Sequence, residues 1–420
     1  MTELMIIADD FTGALDAGVH FAERGIGTRV IVSLDHDRSW EEGIRSGETT
    51  VLVIDAETRH VSPDQAYRKV FAVAKDAREA GIPYIYKKTD SALRGNIGSE
   101  LEAAYRAAGE PFLSFVPALP QMNRITRGGR QYIDGVPVSK SVFGRDPFEP
   151  VTKDSVKDII RLQSEIPVIE THGEARPGPG QAGIVVYDAT TEADIRRIGA
   201  DLTVTGQNRL MAGCAGFAAI LPDLLGLKRQ EPETAALERR LFVICGSVNP
   251  ITRRQLDWGE RVGYPRIYMA AEEKLNPEFW RSEQGAGLTR RMTQESSEND
   301  CVILDNNDRE SERNTLEYAR ELGMDTGQVR SRIPETLGII LKNMLDCGLH
   351  AVILVTGGDT LLGFMKEIRQ WELQPIRQVR PGCVLTKLYY CGREHHIITK
   401  SGGFGEENLL SELTEELKGK

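Results

Sequence analysis

The chain is 420 residues long, 40% hydrophobic and 27% charged, which exceeds one ordinary core and predicts two domains of about 200 residues, each able to bury a core of its own. A net charge of -10 argues against a general nucleic-acid or membrane-surface binder, since such proteins use positive charge to displace counterions. The apolar start at 4–8 runs directly into Asp9 and Asp10; it reads as a first strand rather than a signal peptide, and no stretch approaches the roughly 18 apolar residues of a membrane span.

Short β-branched runs then alternate with helical periodicity, the pattern of a mostly parallel sheet with crossover helices. Strands are predicted at 4–8, 28–32, 51–54, 83–86, 112–116 and 183–187. Ala66, Val70, Val73, Ala74 and Ala77 recur at helical spacing behind Ser62 as N-cap and Pro63 at the first helical position. The charged segment LKRQEPETAALERR carries no strand pattern and separates a domain at 1–230 from a second at 241–420. The second sheet is predicted from strands at 241–245, 266–269, 301–304, 351–355, 384–388 and 396–399, followed by a helix with Leu410, Leu413 and Leu417 on one face. The expected fold class is α/β, two three-layer domains with mostly parallel sheets and an interdomain cleft.

The six cysteines are scattered with no Cys-x-x-Cys pair, which reads as reduced thiols in a cytoplasmic protein without structural zinc. Adjacent residues of a strand face opposite sides, so His395 and His396 form no joint metal site. A formal Gly-x-Gly-x-x-Gly at Gly178, Gly180 and Gly183 precedes a strand, whereas a dinucleotide fingerprint follows one.

Two kinds of strand-end segment carry chemistry. In the first half, ADDFTG places Asp9 and Asp10 at the carboxyl end of the first strand, where ligands of open α/β sheets sit. Either carboxylate could orient or deprotonate a hydroxyl, or Asp10 could simply cap the next helix. YKKTDSALRGNIG follows another strand and supplies Lys87, Lys88, Thr89, Asp90, Arg94 and Asn96. Its cations and guanidinium fork suit a carboxylate or phosphate. Arg59 lies just beyond a third strand, and the Gly- and Pro-rich stretch 117–138, with Arg124 and Arg130, is expected to be a long irregular loop.

In the second half glycines replace the charges. Gly246 and Ser247, then Gly357, Gly358, Asp359 and Thr360, then Gly402 and Gly403 each follow a predicted strand. Such turns present backbone N–H groups, and helix dipoles, to phosphate. None is a P-loop, because Phe364 and Met365 stand where Lys and Ser or Thr are required.

The motifs IADDFTGALD, YKKTDSALRGNIG, GGRQYIDGVPV, CGSVNPIT, VTGGDT and TKSGGFG, in that order, resemble the four-carbon acid sugar kinases, a family once described as a domain of unknown function. The resemblance spans nearly the whole chain and lies closest to the D-threonate kinase branch. It implies a substrate-binding first domain, a nucleotide-binding second domain, and transfer of the ATP γ-phosphate to the 4-hydroxyl of D-threonate, D-erythronate or 3-oxo-tetronate. Carried over, Asp9, Asp10, Arg59, the Lys87 to Asp90 segment, Arg94 and Asn96 would touch the sugar acid, with Asp10 or Asp90 as base. Ser247, the Gly357 to Thr360 turn, Gly402 and Gly403 would touch ATP with its Mg²⁺, and a homodimer is expected from family habit. Ala92 stands where the family often has a hydroxyl residue, and Asn123 where it has glycine. The rival readings are an NAD-dependent oxidoreductase on the same acids and a non-catalytic sensor of acid and nucleotide.

Overall fold

β-branched runs become strands and the alanine- and leucine-periodic stretches become helices. The computed structural model describes residues 1–33, 40–46, 49–146, 149–171, 181–309, 313–401 and 403–419. The chain divides into two units, Met1–Glu233 and Thr234–Lys420.

In the first unit the strands are β1 Leu4–Ala8, β2 Thr28–Val32, β3 Val51–Asp55, β4 Tyr84–Lys88, β5 Phe112–Val116, β6 Arg124–Arg127, β7 Arg130–Ile133, β8 Val136–Pro137, β9 Val168–Thr171, β10 Gly183–Tyr187 and β11 Leu210–Gly213. Eight of them form a parallel sheet in the order β2-β3-β1-β4-β11-β5-β10-β9. β1 is wholly buried, as a central parallel strand with helices on both faces must be. Ser62 and Gln65 close a capping box on the helix Pro63–Glu79, whose Ala66, Val70, Val73, Ala74 and Ala77 are buried against the sheet.

Two expectations are corrected here. β4 runs to Lys88, not Tyr86, because both edges of that stretch are paired: Lys87 with Ile7 and Ala212, Lys88 with Ala8 and Gly213. The two lysines therefore belong to a strand and point to opposite faces. The stretch 117–138 is not an irregular loop, since β6, β7 and β8 make a small antiparallel sheet. Its two tight turns, Gly128-Gly129 and Asp134-Gly135, all have positive φ, as hairpin turns matching strand twist require.

In the second unit the strands are β12 Leu241–Cys245, β13 Arg266–Tyr268, β14 Cys301–Asp305, β15 Val352–Thr356, β16 Glu372–Arg380, β17 Cys383–Tyr390 and β18 Arg393–Lys400. They lie in the order β13-β14-β12-β15-β18-β17-β16. The first five are parallel, and β16, β17 and β18 form an antiparallel meander whose first strand is absent from the sequence expectation. The helices Pro250–Arg261 and Leu409–Leu417 cover the face carrying Leu241, Val243 and Cys245. The helices Thr326–Asp346 and Gly358–Ile368 lie outside that cluster and pack on each other; Gly338 and Gly363 let their backbones meet, a Cβ at Gly363 falling 2.2 Å from Pro334 O.

Candidate active site

In the first unit the carboxyl ends of β1, β3 and β4 converge on a charged cluster. Strand alternation continues one residue past β1, so Asp9 shares a face with Ile7 and Lys87, while Asp10 turns the other way, toward Lys88 and Gly13. Arg59, at the end of β3, bridges the two. Its Nε and Nη2 donate to Asp9 Oδ2 at 2.8 and 2.6 Å, and its Nη1 to Asp10 Oδ2 at 2.6 Å. Asp10 also caps the helix Phe11–Ala22 by accepting from Gly13 N at 2.9 Å. A side chain at Gly13 would meet Asp10 Oδ1 at 2.5 Å and Lys88 Nζ at 2.9 Å, so glycine is needed for this approach.

Asp90 forms a fork with Arg94, accepting from Nε at 2.9 Å and Nη2 at 3.0 Å, and Arg94 Nη1 reaches Asp146 at 3.2 Å. Burial alone would raise Asp90, but Arg94 and Arg59 outweigh it and hold the carboxyl well below the usual carboxylate range. At Asp9 burial is outweighed by Arg59, Lys87 and Lys88, and that carboxyl too is lowered. Asp9 and Asp90 side chains are 2% and 8% exposed and Asp10 is 26% exposed, so Asp10 is the accessible carboxylate of the three.

The lysines separate. Lys87 is wholly buried, its Nζ paired with Glu100 Oε2 at 2.9 Å, and it donates to Lys88 O at 2.7 Å. Lys88 is buried as well and donates to Thr89 O at 3.0 Å; among the described residues no carboxylate oxygen pairs with it. Thr89 is buried, its N–H donating to Gly213 O at 2.8 Å. Asn96 holds backbone, donating to Thr58 O and Val61 O at 2.8 Å each. Arg124 bonds Ser91 and stacks on Phe143, whereas Arg130 is exposed. A cavity of about 410 Å³ lies within this unit, with Arg59, Arg94, His60, Asn96 and Glu149 in its wall. Glu100, Asp146 and Ser91 went unnoticed in the sequence reading, since only burial and contact distinguish them from surface polar residues.

In the second unit the glycine turns form a row. Cys245, Thr356 and Lys400 are register partners at the ends of β12, β15 and β18, so Gly246, Gly357 and Ser401 follow side by side. The helices after β12 and β15 cover opposite faces, which makes this gap the switch point where such sheets bind ligands. A Cβ at Gly246 would lie 1.9 Å from Thr360 Oγ1, and Gly357 has φ +97°, a conformation open to glycine. Gly357 offers no side chain to cap the helix Gly358–Ile368, leaving its first amides to a ligand.

Ser247 Oγ accepts from Asn249 N at 3.3 Å, and Asp359 lies 3.5 Å from Arg330. Gly403 lies beside Asn249, 3.9 Å from its Nδ2 by the position a Cβ would take, and Gly402 falls outside the described residues. Lys400 was not singled out from sequence. It is buried at the row, donating to Thr252 Oγ1 at 3.1 Å and Ser401 O at 3.2 Å, and burial pushes its ammonium down to about 8.

A model of a sugar-binding N-terminal domain matches residues 4–221, and a model of a nucleotide-binding C-terminal domain matches residues 242–410. A D-threonate kinase of Salmonella typhimurium is 29% identical, over 97% of this chain and 96% of its own. The chain belongs to the four-carbon acid sugar kinase family. This kinase is also 28% identical to a D-erythronate kinase of Heliobacterium modesticaldum, over 97% of this chain and 95% of the relative. The fold matches a crystal structure of a Haemophilus influenzae protein with a TM-score of 0.73 at 18% identity, covering 99% of each chain. No helix of the kinase among the described residues is long and apolar enough to cross a membrane.

Proposed function

We propose that the enzyme transfers the γ-phosphoryl group of ATP to the 4-hydroxyl of a four-carbon sugar acid, D-threonate in preference to D-erythronate or 3-oxo-tetronate. The observation that carries this reading is the contrast between two strand-end rims. One is a cluster of Asp9, Asp10, Asp90, Arg59, Arg94 and Lys88, suited to a small polyhydroxy carboxylate. The other is a row of glycine turns with Lys400 behind it, suited to a phosphate chain. The domain at 1–230 thus holds the acid and that at 241–420 the nucleotide.

Phosphoryl transfer is mostly positioning and charge neutralisation. Asp10 accepts the proton of the 4-hydroxyl as that oxygen bonds the γ-phosphorus and the bond to the ADP oxygen breaks. Lys88 and Arg59 fix the acid, while Lys87, being buried, acts through its neighbours. The amides of Gly357 to Thr360 receive the phosphates. Mg²⁺ arriving with ATP would bind mainly to phosphate and water, and Asp359, a hard oxygen donor partly exposed in the same turn, fits as its protein contact. Buried thiols at Cys214, Cys245, Cys301 and Cys383 suit a reducing cytoplasm.

The test is a panel of four-carbon acids, both enantiomers of each, with ATP and coupled ADP release, followed by locating the phosphate on the product. Turnover with phosphate on O4 is expected. Tight binding of acid and ATP without turnover would make the protein a sensor, and turnover only with a nicotinamide cofactor would make it a dehydrogenase.

A further inference from the structure

The buried pair Lys87–Glu100 lies behind the charged cluster. Glu100 sits in the first turn of the helix Ile97–Ala108 with no exposed surface. A glutamate there usually faces water and complements the helix dipole. Here it faces Lys87, which is equally buried, so neither charge is solvated and each depends on the other. Lys87 shares its face of the sheet with Asp9. One Asp9 oxygen, Oδ2, carries both bonds from Arg59, while Oδ1 is buried with no hydrogen-bond partner among the described residues. A lysine released from Glu100 would find that open oxygen as an available acceptor on its own face.

We propose that Glu100 is a positioning residue: by holding the Lys87 ammonium on its helix, it keeps Asp9 committed to Arg59 and thereby sets the affinity for the sugar acid. The inference rests on the functional reading above for the acid, but its geometric part stands apart from it. With Glu100 neutral, Lys87 pulls on Asp9 and Arg59 loses its two-bond grip. Arg59 is then free to turn away from Asp10, and the acid meets a disordered cation. The nucleotide row belongs to the other unit and makes no use of Glu100.

The test compares Glu100→Gln and the double variant Lys87→Met with Glu100→Leu, which replaces a buried ion pair by apolar side chains and is expected to fold at least as well as the single variant. Two readouts are taken. The first is the NMR resonance of the Arg59 Nε–H, assigned by its loss in Arg59→Lys and requiring no substrate. The second is the KM for acid and for ATP separately. In Glu100→Gln the resonance is expected to shift or broaden, and the acid KM to rise at least tenfold with the ATP KM within twofold. The double variant has no lysine left to pull on Asp9, so Arg59 keeps its two bonds and the acid KM should return to within about threefold of the wild-type value. An unshifted Arg59 resonance in a folded Glu100→Gln overturns the proposal whatever the enzyme phosphorylates. So does a double variant whose acid KM stays as high as that of Glu100→Gln, since no lysine is then left to pull on Asp9, or the failure of both variants to fold, which assigns the pair to stability alone. A wild type that turns over none of the acids would sink the functional reading and leave the resonance to decide this one.

Discussion

Because Asp10 caps its helix through Gly13 N and also takes one N–H of Arg59, asparagine there keeps the cap while removing the charge. Asp10→Asn is therefore expected to cost at least ~2 kcal/mol of transition-state stabilisation, roughly a thirtyfold fall in kcat/KM, with little change in melting temperature. Near-native turnover would remove Asp10 from the reaction. Lys400 allows a pH test. Its pKa falls from 10.5 to about 8 on burial, so the unfolded chain binds more protons between those values, and stability rises with pH across that window by at most about 1.4 kcal/mol per unit. Phosphate favours the charged ammonium, so ADP binding should take up a proton above pH 8 and weaken as pH rises to 9. Calorimetry at pH 7 and 9, in wild type and Lys400→Met, checks this; equal affinities at both values in the wild type would exclude Lys400 from the nucleotide site. At this scale the sequence made Asp10 and Arg59 legible because strand ends concentrate ligand contacts. It hid the difference between Lys87 and Lys88, which a two-residue extension of β4 decides, and it hid Glu100 entirely, because a glutamate in a first turn looks like surface.

Among the elements, the close helix crossing near the nucleotide row invites a paired experiment. Gly363→Ala would drive a methyl to 2.2 Å from Pro334 O. It should cost about 1–3 kcal/mol by overpacking and weaken ADP binding by tilting the helix Gly358–Ile368. Gly287→Ala, in the helix Glu283–Glu298 with its nearest neighbour 3.9 Å away, should instead stabilise by up to ~1 kcal/mol. Urea unfolding of both separates the effects; a neutral Gly363→Ala would mean the two helices part easily. Most of the parallel strands were legible from their β-branched runs, but β9 and β11 were not read, and β11, Leu-Met-Ala-Gly, carries no β-branched residue at all. The hairpins of β6 to β8 were not read, although Gly-Gly and Asp-Gly at two-residue spacing are strong turn signals, because proline and arginine dominated the stretch. β16 was hidden by Pro375, which lowers any strand reading and here adjoins a register shift against β17.

For the whole molecule, the assignment of ligands to halves is open to hydrogen exchange. A ligand at about 100 times its Kd stabilises its own unit by roughly 2.7 kcal/mol. D-threonate should slow exchange at 4–13, 55–62 and 84–96, and ADP at 241–252 and 352–363; the reverse pattern would overturn the assignment. Six ordered motifs made the family legible from sequence, and strand ends could be assigned to each, whereas which strand ends lie side by side needed the topology. The way the two arginines are held has one more consequence. Arg59 and Arg94 are already held by Asp9, Asp10, Asp90 and Asp146, so an entering anion meets guanidinium groups whose charge is largely matched. Chloride or acetate has nothing to offer the carboxylates around it, while a sugar acid can donate hydroxyl protons to them. On the proposed function, the cluster should therefore discriminate against simple salts and in favour of molecules carrying both a carboxylate and alcohols.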